Sequence, residues 1–273
     1  MNICVLVKQV PGSDAHFAIV PDGAWIQEAE LPFEMNESDN YALEEALQIR
    51  EQNGAGEVVV VSLGPDRCQK VIREALAKGA DRAIHIKEDP PFTTDPYSIA
   101  TALANTIKDE KFDLVLSGLQ SDDLGFGQTG VILGEILGMT TATLVVGTEI
   151  QDGKIRVKRE LEAGWFQWQT MDLPASLAIQ SGLNTPRYPS LKGIMTAKKK
   201  EIRTNSFGYV FADDGLQGFN GLSSSLINFL NKKKIMLIED VCESHGARFN
   251  NKKLGTFGKM SNFSFYYAHH MST

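Results

Sequence analysis

The sequence predicts an α/β protein with a Rossmann-like, doubly wound and mostly parallel sheet that carries an antiparallel extension. In the first 140 residues, short apolar runs that suit buried strands alternate with amphipathic helices, which is the pattern of βαβ units. From Thr141 onward, apolar and polar residues alternate between turn residues, which indicates antiparallel strands. The length of 273 residues is enough for one large α/β domain or two smaller domains.

The predicted elements follow this pattern in chain order. Parallel strands are expected at residues 3–7, 58–61, 83–86 and 112–117, and helices at 41–51, 67–78, 97–107 and 131–137. Asn36 or Ser38 can cap the first helix, and Asn53-Gly54 ends it. A hairpin turn is expected at residues 21–23, antiparallel strands at 143–148, 154–161 and 166–172, and a further apolar strand at 175–179.

The charge, the cysteine spacing and the length of the apolar runs argue against several classes of function. The formal net charge of −7 argues against a nucleic-acid-binding face, and the lysine run 198–200 is interpreted as a solvated end of an element. Cys4, Cys68 and Cys242 lack ligand spacing, so free thiols in a reducing cytoplasm are expected. The start of the chain lacks the features of a signal peptide, and no apolar run is long enough to cross a bilayer, so no membrane insertion is expected.

The stretch from Gly118 to Gly130 is the strongest candidate site. It lies between a predicted strand and a predicted helix, an order that aims free backbone N–H groups at one point and favours an anion such as phosphate. The stretch matches neither the Walker spacing nor GxGxxG, so an ordinary β–α connection stays open as an alternative. Lys8, residues 36–39 and Leu63-Gly64 are expected at the same carboxyl edge of the sheet, where ligands of such folds collect.

Other polar and aromatic residues receive simpler interpretations from the pattern alone. Arg159 and Glu160 are interpreted as a surface ion pair, and Trp165 as a core indole. His85 is placed at a strand end without a role. Leu191 and Met195 are either core residues or exposed anchors for a partner.

Residues 1–203 resemble the beta subunit of electron transfer flavoprotein. The matching motifs occur in the family's order: Val7-Lys8, Met35-Asn36, Ala42-Leu43-Glu44-Glu45-Ala46, Ser62-Leu63-Gly64-Pro65, Ala77-Lys78-Gly79-Ala80-Asp81-Arg82, Gly118-Leu119-Gln120-Ser121, Thr129-Gly130, Arg159-Glu160-Leu161-Glu162, Pro186-Arg187-Tyr188 and Ile194-Met195. The resemblance implies a cytoplasmic electron carrier without catalytic residues, paired with an alpha subunit that carries most of one FAD. It also implies a structural AMP, electron donors of the acyl-CoA dehydrogenase type and other flavin dehydrogenases, and a quinone oxidoreductase as acceptor.

The resemblance also assigns site residues. AMP contacts fall on Leu6, Asn36, Glu37, Ser38, Asp39, Leu63, Gly118, Leu119, Gln120, Ser121, Asp122, Asp123, Leu124, Gly125, Phe126, Gly127, Gln128 and Thr129. Leu191 falls on the leucine that anchors a dehydrogenase, and Glu160 on a glutamate near the flavin and the subunit interface. The stretch from Asp122 to Gly125 differs from the pattern of the bifurcating branch of the family, so AMP rather than a second FAD is implied.

The C-terminal part of the chain departs from this family. Residues 204–225 have linker composition, and residues 226–273 resemble a truncated fragment of the pyridoxal-phosphate-dependent sugar aminotransferases and 3-dehydratases. That second resemblance places Asp240 at the pyridinium nitrogen, Ser264 at the cofactor phosphate and His269 at the Schiff-base lysine position. Because a short fragment cannot enclose a cofactor, an inactive and loosely packed remnant is expected. A nucleotide-binding protein without electron transfer and a pyridoxal-phosphate enzyme stay open as alternatives.

Overall fold

A computed structural model of the chain describes residues 1–20, 26–87, 95–151, 153–206, 238–240, 248–249, 251–253 and 260–262. The chain divides into two units, one of residues 1–92 with 99–208 and one of residues 93–98 with 209–273. Strands and helices alternate as the sequence predicts, and the α/β fold class is confirmed.

The predicted strands and helices recur with shifted ends, whereas the strands at Gln9–Pro11, Phe33–Met35 and Ile202–Ser206 and the helix at Leu191–Ala197 were not predicted. The strands are β1 (Ile3–Leu6), β2 (Gln9–Pro11), β3 (Phe33–Met35), β4 (Val58–Gly64), β5 (Arg82–Lys87), β6 (Leu114–Gly118), β7 (Thr140–Gln151), β8 (Lys154–Glu160), β9 (Phe166–Asp172), β10 (Ala175–Ile179) and β11 (Ile202–Ser206). The helices are α1 (Glu37–Asn53), α2 (Gln69–Lys78), α3 (Pro96–Ile107), α4 (Thr129–Leu137) and α5 (Leu191–Ala197), with short 3-10 turns at Glu28–Glu30, Asp66–Cys68 and Glu162–Gly164.

One sheet organises the larger unit. Nine strands, counted within the described residues, run in the order β11-β5-β4-β1-β6-β10-β7-β8-β9. The strands from β11 to β7 are parallel, whereas β8 and β9 continue the same sheet as antiparallel neighbours of β7. The predicted antiparallel extension is therefore confirmed, and β7 joins it to the parallel part.

The strand order contains a reversal beside β1. The chain moves from β1 to β4 and β5 on one side, and then returns to place β6 on the other side of β1. In open α/β sheets, ligands bind beyond the carboxyl ends of the strands at such a reversal. The topology therefore places the expected ligand site at the carboxyl ends of β1 and β6, at Leu6 and Gly118.

The apolar residues of the strands and helices form the expected core. Ile3, Val5, Val60, Leu114 and Leu177 are fully buried in the sheet, because the helices cover strands that are apolar on both faces. Cys4 and Cys68 are buried free thiols, as expected, and burial raises the pKa of both. Among the described residues, no helix has the length and apolar character needed to cross a membrane.

The second unit is described only in part. Its strands are β12 (Ile238–Asp240), β13 (Arg248–Phe249), β14 (Lys252–Lys253) and β15 (Met260–Asn262). β12 and β15 are parallel and set Asp240 opposite Asn262, whereas β13 and β14 form an antiparallel pair. Ser264, His269 and Cys242 lie outside the described residues, and so does the hairpin turn predicted at residues 21–23 of the larger unit.

Candidate nucleotide site

One buried carboxylate joins the ends of β1 and β6 at the strand-order reversal. The backbone N–H of Lys8 donates to Asp39 Oδ2 at 2.8 Å, and the backbone N–H of Gly118 donates to Asp39 Oδ1 at 2.8 Å. Burial raises the pKa of Asp39 to about 7, although the hydrogen bonds from Lys8, Gly118 and Asn36 oppose the shift. The first turn of α1 is therefore held directly beneath the loop that follows β6.

Two further side chains hold that loop, which we call the switch-point loop (residues 118–128). Asn36 Nδ2 donates to Gln120 O at 2.9 Å, and Asn36 Oδ1 accepts from the N–H of Asp122 at 2.9 Å. Ser38 Oγ donates to Gln120 O at 2.8 Å. Asn36, one of the two predicted caps, is the N-cap residue of α1, but its side chain binds the loop and makes no capping hydrogen bond. The helix begins at Glu37 rather than near residue 41, and Ser38 lies within it.

The two aspartates of the loop face cations and helix dipoles. Asp123 Oδ1 pairs with Lys8 Nζ at 2.6 Å, and the same ammonium group donates to Ser121 Oγ at 3.2 Å. Asp122 Oδ2 accepts from the N–H of Glu37 in the first turn of α1 at 3.0 Å. Their charges are therefore balanced on the α1 side of the loop, where opposite charge and the helix N-terminus favour carboxylates.

The α1 side and the α4 side of the loop differ in charge. On the α1 side, a groove of about 410 Å³ is lined by Glu34, Glu37, Asp122 and Asp123, together with Phe17 and nearby backbone. These carboxylates oppose an anion there. On the other side, the loop leads into the first turn of α4, whose N–H groups point toward the carboxyl edge of the sheet.

The α4 side contains buried polar atoms without a partner. Within the described part of the chain, Ser117 Oγ and Gln128 Oε1 are buried and make no hydrogen bond. A Cβ atom at Gly130 would lie 2.3 Å from Ser117 Oγ, so this hydroxyl is directly against the first turn of α4. Since buried polar atoms are normally paired, the two atoms favour a bound polar ligand at this position.

Glycine provides the space that the α1 side of the site needs. A Cβ atom at Gly118 would lie 2.1 Å from Ser38 Oγ and 2.4 Å from Asp39 Oδ1. Gly125 and Gly127 instead have positive φ angles of 65° and 62°, which reverse the direction of the loop. A hydrogen bond from Gly125 N–H to Ser121 O closes the turn. The glycines therefore serve two purposes, close approach at the start of the loop and a left-handed turn in its middle.

The other predicted contact residues lie along the same edge. Leu6 ends β1 and is paired with Val61, whereas Leu63 lies one residue before the end of β4. The N–H of Leu119 donates to Ile179 O, which joins the loop to β10, while Leu124 and Phe126 lie in the loop itself. The structure therefore brings the predicted segments to one edge of the sheet and leaves the identity of their ligand as a prediction.

His85 was not predicted to have a role and contacts this edge. Its Nε2 lies 2.9 Å from Gly64 O, so the ring holds the turn that follows β4 next to Leu63. His85 is fully buried on the neighbouring strand β5, opposite Ser62. Only the strand register reveals this contact, because the two residues are far apart in the chain.

The interpretation of residues 159–165 from the pattern alone is wrong. Arg159 Nε donates to Thr143 O at 2.9 Å rather than pairing with Glu160, and Glu160 Oε2 accepts from Gln180 Nε2 at 3.3 Å. Trp165 is 73% exposed rather than a core indole. Gln180 follows β10 at the carboxyl edge, so Glu160 lies at the same edge as the switch-point loop.

The outer strand of the antiparallel extension exposes aromatic side chains. Trp165, Phe166 and Trp168 are exposed on or beside β9, which pairs only with β8 among the strands of the described residues. Arg156 lies over Trp168 at 4.4 Å and Lys158 lies over Phe166 at 4.1 Å, both measured to the ring centroid. Exposed clusters of this kind mark surfaces that bind a partner.

Leu191 is exposed rather than part of the core. The side chain is 83% accessible at the start of α5, and the exposed side chains of Tyr188 and Met195 lie close to it in the chain. The structure therefore decides between the two interpretations of Leu191 and Met195 in favour of exposure. Among the described residues, no group of His, Cys, Asp or Glu side chains is arranged to hold a metal ion.

Comparison with known proteins adds two family matches. The electron transfer flavoprotein domain matches residues 24–207, and the DegT/DnrJ/EryC1/StrS aminotransferase family matches residues 224–273. A protein of Methylophilus methylotrophus named electron transfer flavoprotein subunit beta is 39% identical over 219 residues, which cover 79% of this chain and 81% of the relative.

Two further similar proteins have the same name. The one from Bacillus subtilis is 38% identical over 203 residues, covering 74% of this chain and 77% of the relative. The one from Mycobacterium tuberculosis strain H37Rv is 34% identical over 231 residues, covering 83% and 86%.

Proposed function

Because this chain belongs to the electron transfer flavoprotein family and its similar relatives are beta subunits, we propose that it binds AMP and supports the FAD of an alpha subunit. The complex carries electrons from flavin dehydrogenases, such as acyl-CoA dehydrogenases, to a quinone oxidoreductase. The observation that carries the nucleotide assignment is the pair of buried, unpartnered polar atoms, Ser117 Oγ and Gln128 Oε1, beside the first turn of α4 at the strand-order reversal.

The residues present suit AMP on the α4 side of the switch-point loop. The free hydroxyl of Ser117 and the N–H groups of the first turn of α4 are donors for a phosphate. Gln128 Oε1 is an acceptor for a ribose hydroxyl or an adenine amino group. Asn36, Glu37, Ser38, Asp39, Leu6 and Leu63 hold or border the loop, and we assign them to the same site.

The second part of the proposal concerns the partner surface. Glu160 and Gln180 lie at the carboxyl edge, and the exposed aromatic side chains of β9 lie next to them in the sheet. We assign this surface to the alpha subunit. FAD supplies the redox chemistry when bound, so this chain needs to position the flavin rather than provide an acid, a base or a nucleophile.

A second candidate function has one observation in its favour. The match to the electron transfer flavoprotein family ends at residue 207, and the match to an aminotransferase family begins at residue 224. The chain could therefore bind AMP without assembling with an alpha subunit. Activity of the aminotransferase-like fragment has less support, because the match covers only residues 224–273, which is too short a stretch to enclose a cofactor.

Copurification distinguishes these functions. We expect the full-length chain, coexpressed with an electron transfer flavoprotein alpha subunit, to form a yellow complex that an acyl-CoA dehydrogenase and its substrate reduce. The measurement is flavin absorbance of the purified complex before and after the dehydrogenase is added. A chain that carries AMP but never binds the alpha subunit would contradict the proposed electron-carrier function. Absorbance of bound pyridoxal phosphate would instead support activity of the aminotransferase-like fragment.

A matched pair of variants tests the assigned surface. We expect Phe166→Asp on β9 to weaken copurification at least about tenfold, because a charge then replaces an apolar contact. Phe17→Asp is the control, since Phe17 is also exposed (58%, compared with 49% for Phe166) but lies beside the acidic groove. Equal copurification of both variants would contradict the assignment of β9 to the partner.

A further inference from the structure

The exposed apolar residues around Leu191 lie on a short stretch that is held at both ends. We call residues 188–197 the docking segment, which contains Tyr188, Leu191 and Met195 as exposed side chains and the short helix α5. A seven-residue helix has little stability of its own in water, so contacts with the rest of the protein must hold it.

The stretch before the docking segment is held on α1. Asn184 Nδ2 donates to Tyr41 O at 3.1 Å and to Glu45 Oε2 at 3.0 Å. The other carboxylate oxygen of Glu45 accepts a hydrogen bond from Thr148 Oγ1 of β7. The chain is therefore fixed to both α1 and the sheet shortly before the docking segment begins.

Arg187, the residue directly before the segment, makes the most extensive contact. Its backbone N–H, Nε and Nη2 all donate to the carboxylate of Glu44, at 3.1, 2.8 and 3.0 Å. Its Nη1 and Nη2 also donate to the two oxygens of Glu51 at 2.7 and 3.1 Å. One guanidinium group thus binds two carboxylates that lie two turns apart on α1, a geometry that a lysine cannot reproduce.

The electrostatics agree with a fixed contact. Burial alone would raise the pKa of Glu44, but the hydrogen bonds from Arg187 and Gln48 outweigh burial and lower it. The Glu44 side chain is almost completely buried in this pair, whereas Glu51 is half exposed. The contact with Glu44 is therefore the stronger part, because a charged pair shielded from water is less screened.

The other end of the docking segment is held on α2. Arg73 Nη1 donates to Ala197 O at 2.6 Å and to Lys200 O at 3.0 Å, while Lys200 Nζ donates to Leu76 O at 3.1 Å and Ala80 O at 2.5 Å. A cationic side chain of α2, Arg73, thus binds a carbonyl group at the end of α5, and Lys200 binds a carbonyl group in the last turn of α2. The interpretation of Lys200 as a solvated lysine is therefore wrong.

Close packing completes this contact. A Cβ atom at Gly193 would lie 2.2 Å from Ala77 O, so α5 lies directly on the last turn of α2. Ala197 of α5 is buried in the core, whereas Leu191 and Met195 are exposed.

We propose that Arg187 is a positioning residue that holds the docking segment in its binding geometry by joining it to Glu44 and Glu51 of α1. The proposal rests on the proposed function and takes Leu191 as the anchor for a flavin dehydrogenase, as the family resemblance implies. A segment held in place before binding loses less conformational freedom when the partner arrives. Arg187 itself contacts neither the nucleotide loop nor β9 among the hydrogen bonds of the described residues, so its effect should be confined to docking.

The test uses Arg187→Lys in the full-length chain, which keeps the charge and removes the forked hydrogen bonds. Arg50→Lys is the matched control, because Arg50 also lies on α1 and pairs with a carboxylate, Asp81, outside the docking segment. We expect amide hydrogen exchange in residues 188–197 to become at least about tenfold faster in Arg187→Lys, and to stay unchanged in the control. Exchange in residues 36–39 and 118–123 should stay at the wild-type rate in both.

Kinetics with the alpha subunit complex then separate positioning from simple folding. For Arg187→Lys, we expect the KM for the dehydrogenase to rise about tenfold with kcat and AMP content unchanged, because only the docking step is affected. Glu51→Gln, which removes only the exposed half of the contact, should give a smaller rise in KM.

Two results would overturn the proposal. Unchanged exchange in residues 188–197 would show that Arg187 does not hold the segment, and faster exchange with an unchanged KM would show that holding it does not affect docking. A wild-type complex that no dehydrogenase reduces would instead refute the proposed function, and hydrogen exchange would still decide whether Arg187 holds the segment.

Discussion

Replacing Gly118 by alanine is expected to abolish AMP binding and to destabilise the fold. The added Cβ atom would lie 2.1 Å from Ser38 Oγ, 2.4 Å from Asp39 Oδ1 and 2.8 Å from the backbone N of Asp39. Relief of these contacts must move β6 away from α1 and break the hydrogen bond between Gly118 N–H and Asp39. We expect a loss of about 2–4 kcal/mol in the free energy of unfolding, measured by chemical denaturation.

Gly125→Ala is the control for this prediction. Gly125 has a φ of 65°, but a Cβ atom there has no neighbour within 4 Å. Its replacement should cost about 1 kcal/mol of backbone strain and leave the contacts of Asp39 in place. AMP affinity, measured by calorimetry, should therefore fall far more in Gly118→Ala than in Gly125→Ala. Equal losses in the two variants would contradict the close approach of α1 to β6.

Asp39→Asn is expected to change how stability depends on pH. Burial raises the pKa of Asp39 from 3.8 to about 7 in the folded protein. Between these values the unfolded chain loses its proton while the folded chain keeps it, so the contribution of Asp39 to stability falls as pH rises. The full contribution is about 4 kcal/mol, since one pKa unit corresponds to about 1.4 kcal/mol.

The comparison is made as a difference between the two proteins at each pH. The free energy of unfolding of wild type minus that of Asp39→Asn should fall steadily between pH 4 and pH 7. Chemical denaturation at several pH values measures this difference, in which other titrating groups cancel. A difference that rises with pH would show that Asp39 is ionised throughout and that its hydrogen bonds outweigh its burial.

The sequence predicts the strands and helices of this fold well for a physical reason. The buried runs at residues 3–7 and 58–61 are apolar throughout, and the helix stripes are regular, so local pattern is enough. The carboxyl edge of the sheet was also predicted, because parallel strands place their following loops together. The family resemblance then named the segments that the geometry brings to that edge.

The contacts within the site could not be predicted from pattern. Asp39 binds Lys8 and Gly118, which are 31 and 79 positions away in the chain, and only the strand order places them side by side. The same holds for His85 and Gly64, whose contact depends on the register of β4 and β5. Spacing along the chain contains no information about such pairs.

The errors concern residues whose environment depends on long-range packing. Trp165 was assigned to the core because large aromatic residues are usually buried, but it lies beside an edge strand. Lys200 was taken as solvated because lysine usually is, but it binds carbonyl groups at the end of α2. In both cases a general preference is overridden by the position of the residue in the fold.

Nucleotide release from the purified full-length chain tests the central claim most directly. The chain is denatured after gel filtration, and the small molecules in the supernatant are identified by chromatography and mass spectrometry. If Ser117, Gln128 and the first turn of α4 hold an adenylate, wild type and Gly125→Ala should each release an equimolar amount of AMP. Gly118→Ala should release none. Release of no nucleotide by wild type, together with no binding of added AMP, would contradict this claim.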